Sequence, residues 1–122
     1  MPMLDKPKLS ERDIERTIRE YLEWDGWRVF HFEQNFSERK RKVVGEPGMP
    51  DLLCIRYGRD GDHVVWLELK APTGKPRKAQ MLWCAAERQR GATAFIAGRD
   101  FPATIEGFQQ WYRASGLMRR KV

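Results

Sequence analysis

Two apolar runs separated by one short polar segment constrain this chain most: "GMPDLLCI" at 48–55, then "VVWLELKA" at 64–71, with "GRDGD" between them. Each run has strand length and strand composition, and Asp60-Gly61 is a strong tight-turn pair, so the segment predicts an antiparallel hairpin with strands at about 51–57 and 63–70. Side chains alternate across a strand. Trp66, Glu68 and Lys70 therefore share one face of the second strand, with Leu67 and Leu69 on the other, while Asp51, Leu53 and Ile55 share a face of the first. A Glu and a Lys planted on one face inside an apolar run are costly unless that face uses their charge.

The remaining chain supplies partners for the hairpin. In "SERDIERTIREYLEWD", 10–25, Ser10 is placed as an N-cap and Asp13 as the third helical residue. Ile14, Ile18, Tyr21 and Leu22 then recur at helical spacing up to Gly26. "WRVFHF", 27–32, reads as a strand. The stretch from residue 33 to 50 shows no periodicity and predicts a long loop, a feature that is often functional in a small domain. After "APTGK", Pro76 predicts the first turn of a helix running to Arg90, with Ala79, Leu82, Trp83 and Ala86 as its buried stripe and Gly91 at its end. "TAFIA", 93–97, is a short strand. A last helix over Pro102–Ala114 carries Ile105, Phe108, Trp111 and Tyr112 on one side. The order αβββαβα predicts one α/β domain, a mixed β-sheet flanked by helices.

Size and composition narrow the function. A chain of 122 residues fits one domain. It contains no apolar run long enough to cross a bilayer, and its N-terminus has no signal-type apolar segment, so no membrane partner is expected and the protein is expected to stay where it is made. Cys54 and Cys84 sit in apolar surroundings without CxxC spacing or clustered His, and read as reduced core residues. Lys and Arg number 23 against 17 Asp and Glu, a net charge of +6. That balance favours a polyanion, nucleic acid above all.

If the hairpin registers Asp51 beside Glu68, two carboxylates and an ammonium converge at one end of the sheet. Two acids so close repel unless a cation lies between them, and hard oxygen ligands suit Mg²⁺ or Mn²⁺. With a neighbouring Lys to stabilise charge on a phosphate, these are the parts that phosphodiester hydrolysis uses. An acid on the first helix would complete the set, and periodicity leaves both Glu11 and Glu15 on its apolar side. "ERKRK", 38–42, brings Arg39, Lys40, Arg41 and Lys42 to the loop before the Pro-Asp pair. Lys75, Arg77 and Lys78 sit at a helix N-terminus, where backbone N–H groups favour anions. Both groups are candidate DNA contacts. No recognition helix or zinc-finger spacing is evident, so binding by shape is expected. His31 and His63 have no evident catalytic partner.

Pro50-Asp51 followed by Glu68-Leu69-Lys70 resembles the PD-(D/E)xK nuclease signature. The fuller string "GMPDLL…VVWLELKAPTGKPRKAQ" resembles the VRR-NUC (virus-type replication-repair nuclease) family, near its small stand-alone phage and bacterial members, from the first helix through the strand near residue 95. The resemblance implies a restriction-endonuclease-like core. It implies Asp51, Glu68 and the Leu69 carbonyl as ligands of Mg²⁺ or Mn²⁺, Lys70 as the catalytic lysine, and Gln80 near the active site. For the helix acid, "ERTIREYLEWDGW" matches the resolvase-like pattern at Glu15, with Glu11 second. It further implies a structure-selective endonuclease of Holliday-junction-resolvase type, leaving a 5′-phosphate and a 3′-hydroxyl, acting on branched DNA as a homodimer in the cytoplasm of a bacterium or phage-infected host. Alternative expectations are a flap or restriction-like nuclease on the same fold, or a catalytically silent DNA-binding module.

Overall fold

The computed structural model describes residues 9–32, 36–37, 42–43 and 46–120, the two dipeptides by backbone alone. Three helices and six strands follow in the order α1 (Glu11–Trp24), β1 (Arg28–His31), β2 (Phe36–Ser37), β3 (Lys42–Val43), β4 (Leu52–Arg56), β5 (His63–Glu68), α2 (Lys78–Gln89), β6 (Thr93–Ile96) and α3 (Ile105–Ala114). The main sheet has the order β1-β4-β5-β6. Its first three strands pair antiparallel, and β6 joins β5 in parallel through the α2 crossover. The expected α/β class with a mixed sheet is present. The expected 33–50 loop differs in one respect, because β2 and β3 form a two-residue antiparallel ribbon within it. Runs that short carry no alternation for a sequence reading to detect.

Helix α1 begins where its first residues dictate. The Ser10 hydroxyl accepts the Asp13 N–H at 3.1 Å, and the Asp13 carboxylate accepts back from the Ser10 hydroxyl at 2.8 Å. Ile14, Ile18 and Leu22 are buried four residues apart. Gly26, at φ 93°, then turns the chain into β1. The buried side chains of α1 meet Leu52, Cys54, Val65, Leu67 and Leu69 from one face of the sheet, and Phe101, Phe108 and Tyr112 around α3. Phe108 and Tyr112 are almost wholly buried there, and Trp111 packs against the same cluster. The aromatic stripe of the last helix thus completes the core. Cys54 and Cys84 are buried free thiols, as expected, and burial pushes them up to about 12 and about 11.

Among the described residues, α2 covers the opposite face of the sheet, over a small cluster of Cys84, Ala94 and Ile96 with Trp66 and Trp83 against it. Here the expected stripe is corrected. Ala79, Leu82 and Ala86 face solvent, and the helix buries Gln80 and Cys84 instead. Hydrogen bonding decides the rotation. The Gln80 side-chain carbonyl accepts the Arg77 N–H at 2.9 Å, and the Arg88 guanidinium reaches the Ala94 carbonyl and, at 3.0 Å, Asp100. The Arg88 bonds tie the C-terminal end of α2 to β6, and the Gln80 bond closes the helix's own N-cap, so the 80-84-88 line faces the sheet. Pro76 lies just outside the helix, whose N-cap is Arg77. Among the described residues no helix is long and apolar enough to cross a membrane.

Candidate metal centre

The register of β4 on β5 pairs Leu52 with Leu67. One step outward it sets Asp51 opposite Glu68, and directly opposed residues of an antiparallel pair point to the same face. The two carboxylates meet at the end of the hairpin as the alternation of both strands requires. A third arrives from the first turn of α1: oxygens of Glu11, Asp51 and Glu68 all lie within 4.8 Å of one another. Lys70 follows on the face of Glu68, its Nζ 3.8 Å from Glu68 Oε2, and both side chains are buried.

The electrostatics of this group are unbalanced. Burial first, and then the charge of Asp51, push the Glu68 carboxyl up to about 8, against the opposing pull of Lys70. Among the described residues, Glu68 Oε1 is buried with no hydrogen-bond partner. A buried acceptor left unpaired costs about 1–3 kcal/mol. Three carboxylates around one orphaned oxygen form a donor set of hard ligands, suited to a divalent cation such as Mg²⁺ or Mn²⁺.

Asp51 is aimed by a turn clamped onto α2. Gly48 adopts φ 86°, and a Cβ there would stand 2.2 Å from the Ala79 carbonyl oxygen and 3.1 Å from the Gln80 nitrogen. Only glycine fits both the backbone angle and the contact. The Met49 N–H donates to the Glu46 carbonyl at 3.1 Å, Trp83 Nε1 donates to Glu46 Oε2 at 2.7 Å, and Pro50 is fully buried. The turn therefore rests on the first two turns of α2, and Gln80 lies where that helix meets it.

Of the residues expected from sequence, Asp51, Glu68 and Lys70 are brought together. On α1 it is Glu11 that joins them, while Glu15, one turn further, sits 2.6 Å from His31 Nδ1. Both acids line one groove with Arg12, Arg19, His31 and Asp51. Gln80 is buried and holds the Arg77 N–H. Leu69 turns its side chain into the larger core between Glu68 and Lys70. Lys75, Arg77 and Lys78 are exposed at the start of α2. Arg39, Lys40 and Arg41 lie outside the described residues, as does the side chain of Lys42, whose backbone begins β3.

One buried polar centre escaped the sequence reading. Asp25, fully buried at the C-cap of α1, accepts from Arg56 at 3.1 Å, from the Tyr112 hydroxyl, and from the backbone N–H groups of Arg119 and Arg120 at 3.0 and 2.7 Å. An Asp beside a helix-ending Gly reads as an ordinary cap, and nothing local signals partners so far along the chain. No protein-family model, curated protein or solved structure matches this chain.

Proposed function

We propose that the protein is a metal-dependent, structure-selective DNA endonuclease that hydrolyses phosphodiester bonds, with resolvase-like preference for branched DNA. The observation that carries the reading is the convergence of Glu11, Asp51 and Glu68 within 4.8 Å around a buried, unpaired carboxylate oxygen, with the Lys70 ammonium 3.8 Å from Glu68. Structural carboxylates in protein interiors are hydrogen-bonded or paired, so a bare oxygen beside two more acids fits a cation as its missing partner. The resemblance to VRR-NUC nucleases, carried by the Pro-Asp and Glu-Leu-Lys strings, supports the same assignment, as does the net charge of +6.

In this reading Asp51, Glu68 and Glu11 hold Mg²⁺ or Mn²⁺. Such an ion would supply Lewis acidity toward a phosphoryl oxygen and a lowered pKa for water held there. Lys70, fixed beside Glu68, places its ammonium where negative charge grows on the phosphate, and Gln80 keeps the start of α2 seated under the Gly48 turn so that Asp51 stays aimed. Lys75, Arg77 and Lys78, with the 39–42 basic run, neutralise flanking phosphates and so set affinity and salt dependence without reading sequence. A branched substrate with two related phosphodiesters suits two copies of the chain acting as a homodimer.

The test compares wild type with Lys70→Ala and Asp51→Ala on a labelled four-way junction, a flap and a linear duplex, with Mg²⁺, Mn²⁺ or EDTA. The expected result is metal-dependent cutting that favours the junction. It should fall roughly 10²-fold or more in both variants while DNA binding persists. Preferred cutting of the flap or the duplex would move the assignment to the other nuclease classes. Tight binding without cutting under any metal would leave a DNA-binding module.

A further inference from the structure

The row of side chains that carries the acids does not end at Asp51. Strand β1 pairs with β4 so that His31 lies opposite Leu52, and the Phe32 N–H donates to the Asp51 carbonyl at 2.7 Å. Phe32 therefore stands directly opposite Asp51. Opposed residues share a face, so Phe32, Asp51 and Glu68 form one transverse row across three neighbouring strands. The row runs from an aromatic ring to the carboxylates in steps of about 4.8 Å.

Phe32 is 37% exposed, although it stands at the edge of an aromatic cluster. Its ring centroid is 6.2 Å from that of Trp66, inclined at 39°, and Trp66 in turn meets Trp83 edge-on at 5.2 Å. Trp83 is anchored by its bond to Glu46. The outermost ring thus has a rigid backing and an open side.

We infer that Phe32 is a stacking platform for one unpaired nucleobase, and that the site accepts a strand whose scissile phosphate lies at the carboxylates while the adjoining base is splayed onto this ring. The inference rests on the nuclease reading for the position of the phosphate, and it narrows the substrate to DNA with an unpaired or frayed nucleotide at the cut, as at a branch point, a flap or a gap. Base-to-ring stacking tolerates any sequence because every base has a π-face. That agrees with the exposed cations at the start of α2, which suit contacts with a phosphate backbone. In duplex DNA the base is held in its stack, so Phe32 contributes to binding only where pairing is already broken.

The experiment places 2-aminopurine at the unpaired position of a gapped oligonucleotide. It follows fluorescence quenching and affinity with wild type, Phe32→Leu and Phe32→Trp in Ca²⁺, and then cutting in Mg²⁺ or Mn²⁺. Leu keeps apolar contact with Trp66, so a folding defect is not the expected result. The expected pattern is quenching with wild type and with Phe32→Trp. Phe32→Leu should lose the quenching and bind the gapped DNA about 5- to 100-fold more weakly, with affinity for a fully paired duplex unchanged. Quenching that survives in Phe32→Leu, or equal weakening on gapped and paired DNA, overturns the inference. Phe32-dependent quenching without cutting under any metal would sink the nuclease reading and leave the stacking platform standing. Cutting that is indifferent to Phe32 would do the reverse.

Discussion

Two buried carboxylates, Asp25 at one end of the molecule and Glu68 at the other, are treated in opposite ways by the same fold. Asp25 is fully buried, yet its carboxyl is held below its ordinary value. Burial by itself would raise it, but the Tyr112 hydroxyl, the Arg119 and Arg120 amides and the Arg56 guanidinium more than offset that cost. Tyr112 is itself held by Trp27 Nε1 at 2.8 Å, and Arg56 lies 4.5 Å above the Trp27 ring. The partners of Asp25 tie β4, α3 and the tail beyond α3 to the end of α1. Glu68 has one lysine at 3.8 Å, two acids nearby and a bare oxygen, and its carboxyl is pushed up to about 8. A buried charge that is fully satisfied holds a structure together, and one that is left short waits for a ligand.

Breaking the first site should cost most. Asp25→Ala leaves the Arg56 guanidinium buried without its counter-charge and frees the tail beyond α3. Unfolding in urea should show a loss of about 3–5 kcal/mol. A loss below about 1 kcal/mol would mean that Asp25 is no clamp.

Breaking the second should cost ligand response rather than stability. At a cation concentration about 100-fold above Kd, binding to the folded state alone adds about 2.7 kcal/mol, or about 10 °C in Tm for a chain of this size. Thermal melts with and without Mn²⁺ should show that rise in wild type. Glu68→Gln should not lower the metal-free Tm at pH 7, because it removes a charge that burial disfavours, and it should abolish the rise. A Tm that falls sharply in metal-free Glu68→Gln would make Glu68 a structural residue like Asp25.

The contrast also shows through pH. Asp25, with its folded pKa depressed, contributes stability that is present above its ordinary value of 3.8 and lost as pH falls through the folded value. Glu68, raised from 4.5 to about 8, contributes stability that is present below pH 4.5 and lost progressively as pH rises toward 8. The metal-free protein should therefore weaken in both directions from weakly acidic pH. Urea midpoints across pH 3–9 should lose their acid limb in Asp25→Asn and their alkaline limb in Glu68→Gln. The same limb lost in both variants would show that the two carboxylates are not opposed.

Much of this was legible in residue order because it is local. The Ser10–Asp13 cap, the 14-18-22 stripe, the tight-turn hairpin and the alternation that puts Glu68 and Lys70 on one face all follow from spacing within a few residues. The pairing of Asp51 with Glu68 needed only the hairpin's register. Helix α2 misled because its apolar residues mark a plausible face, whereas the side that turns to the sheet carries Cys84 and Arg88, with Arg88 bonded to the Ala94 carbonyl and to Asp100.

What only the tertiary structure decided is which distant groups meet. Glu11 and Glu15 are equivalent in periodicity, but one helical turn, about 5.4 Å, separates a residue within reach of Asp51 and Glu68 from one that meets His31. Asp25 finds Arg56, Tyr112, Arg119 and Arg120 between 31 and 95 residues away in sequence. Phe32 becomes the neighbour of Asp51 only because β1 pairs with β4. Periodicity specifies the face of an element on which a side chain lies. Where that element ends over the sheet, and what stands opposite, is set by the packing of the whole chain.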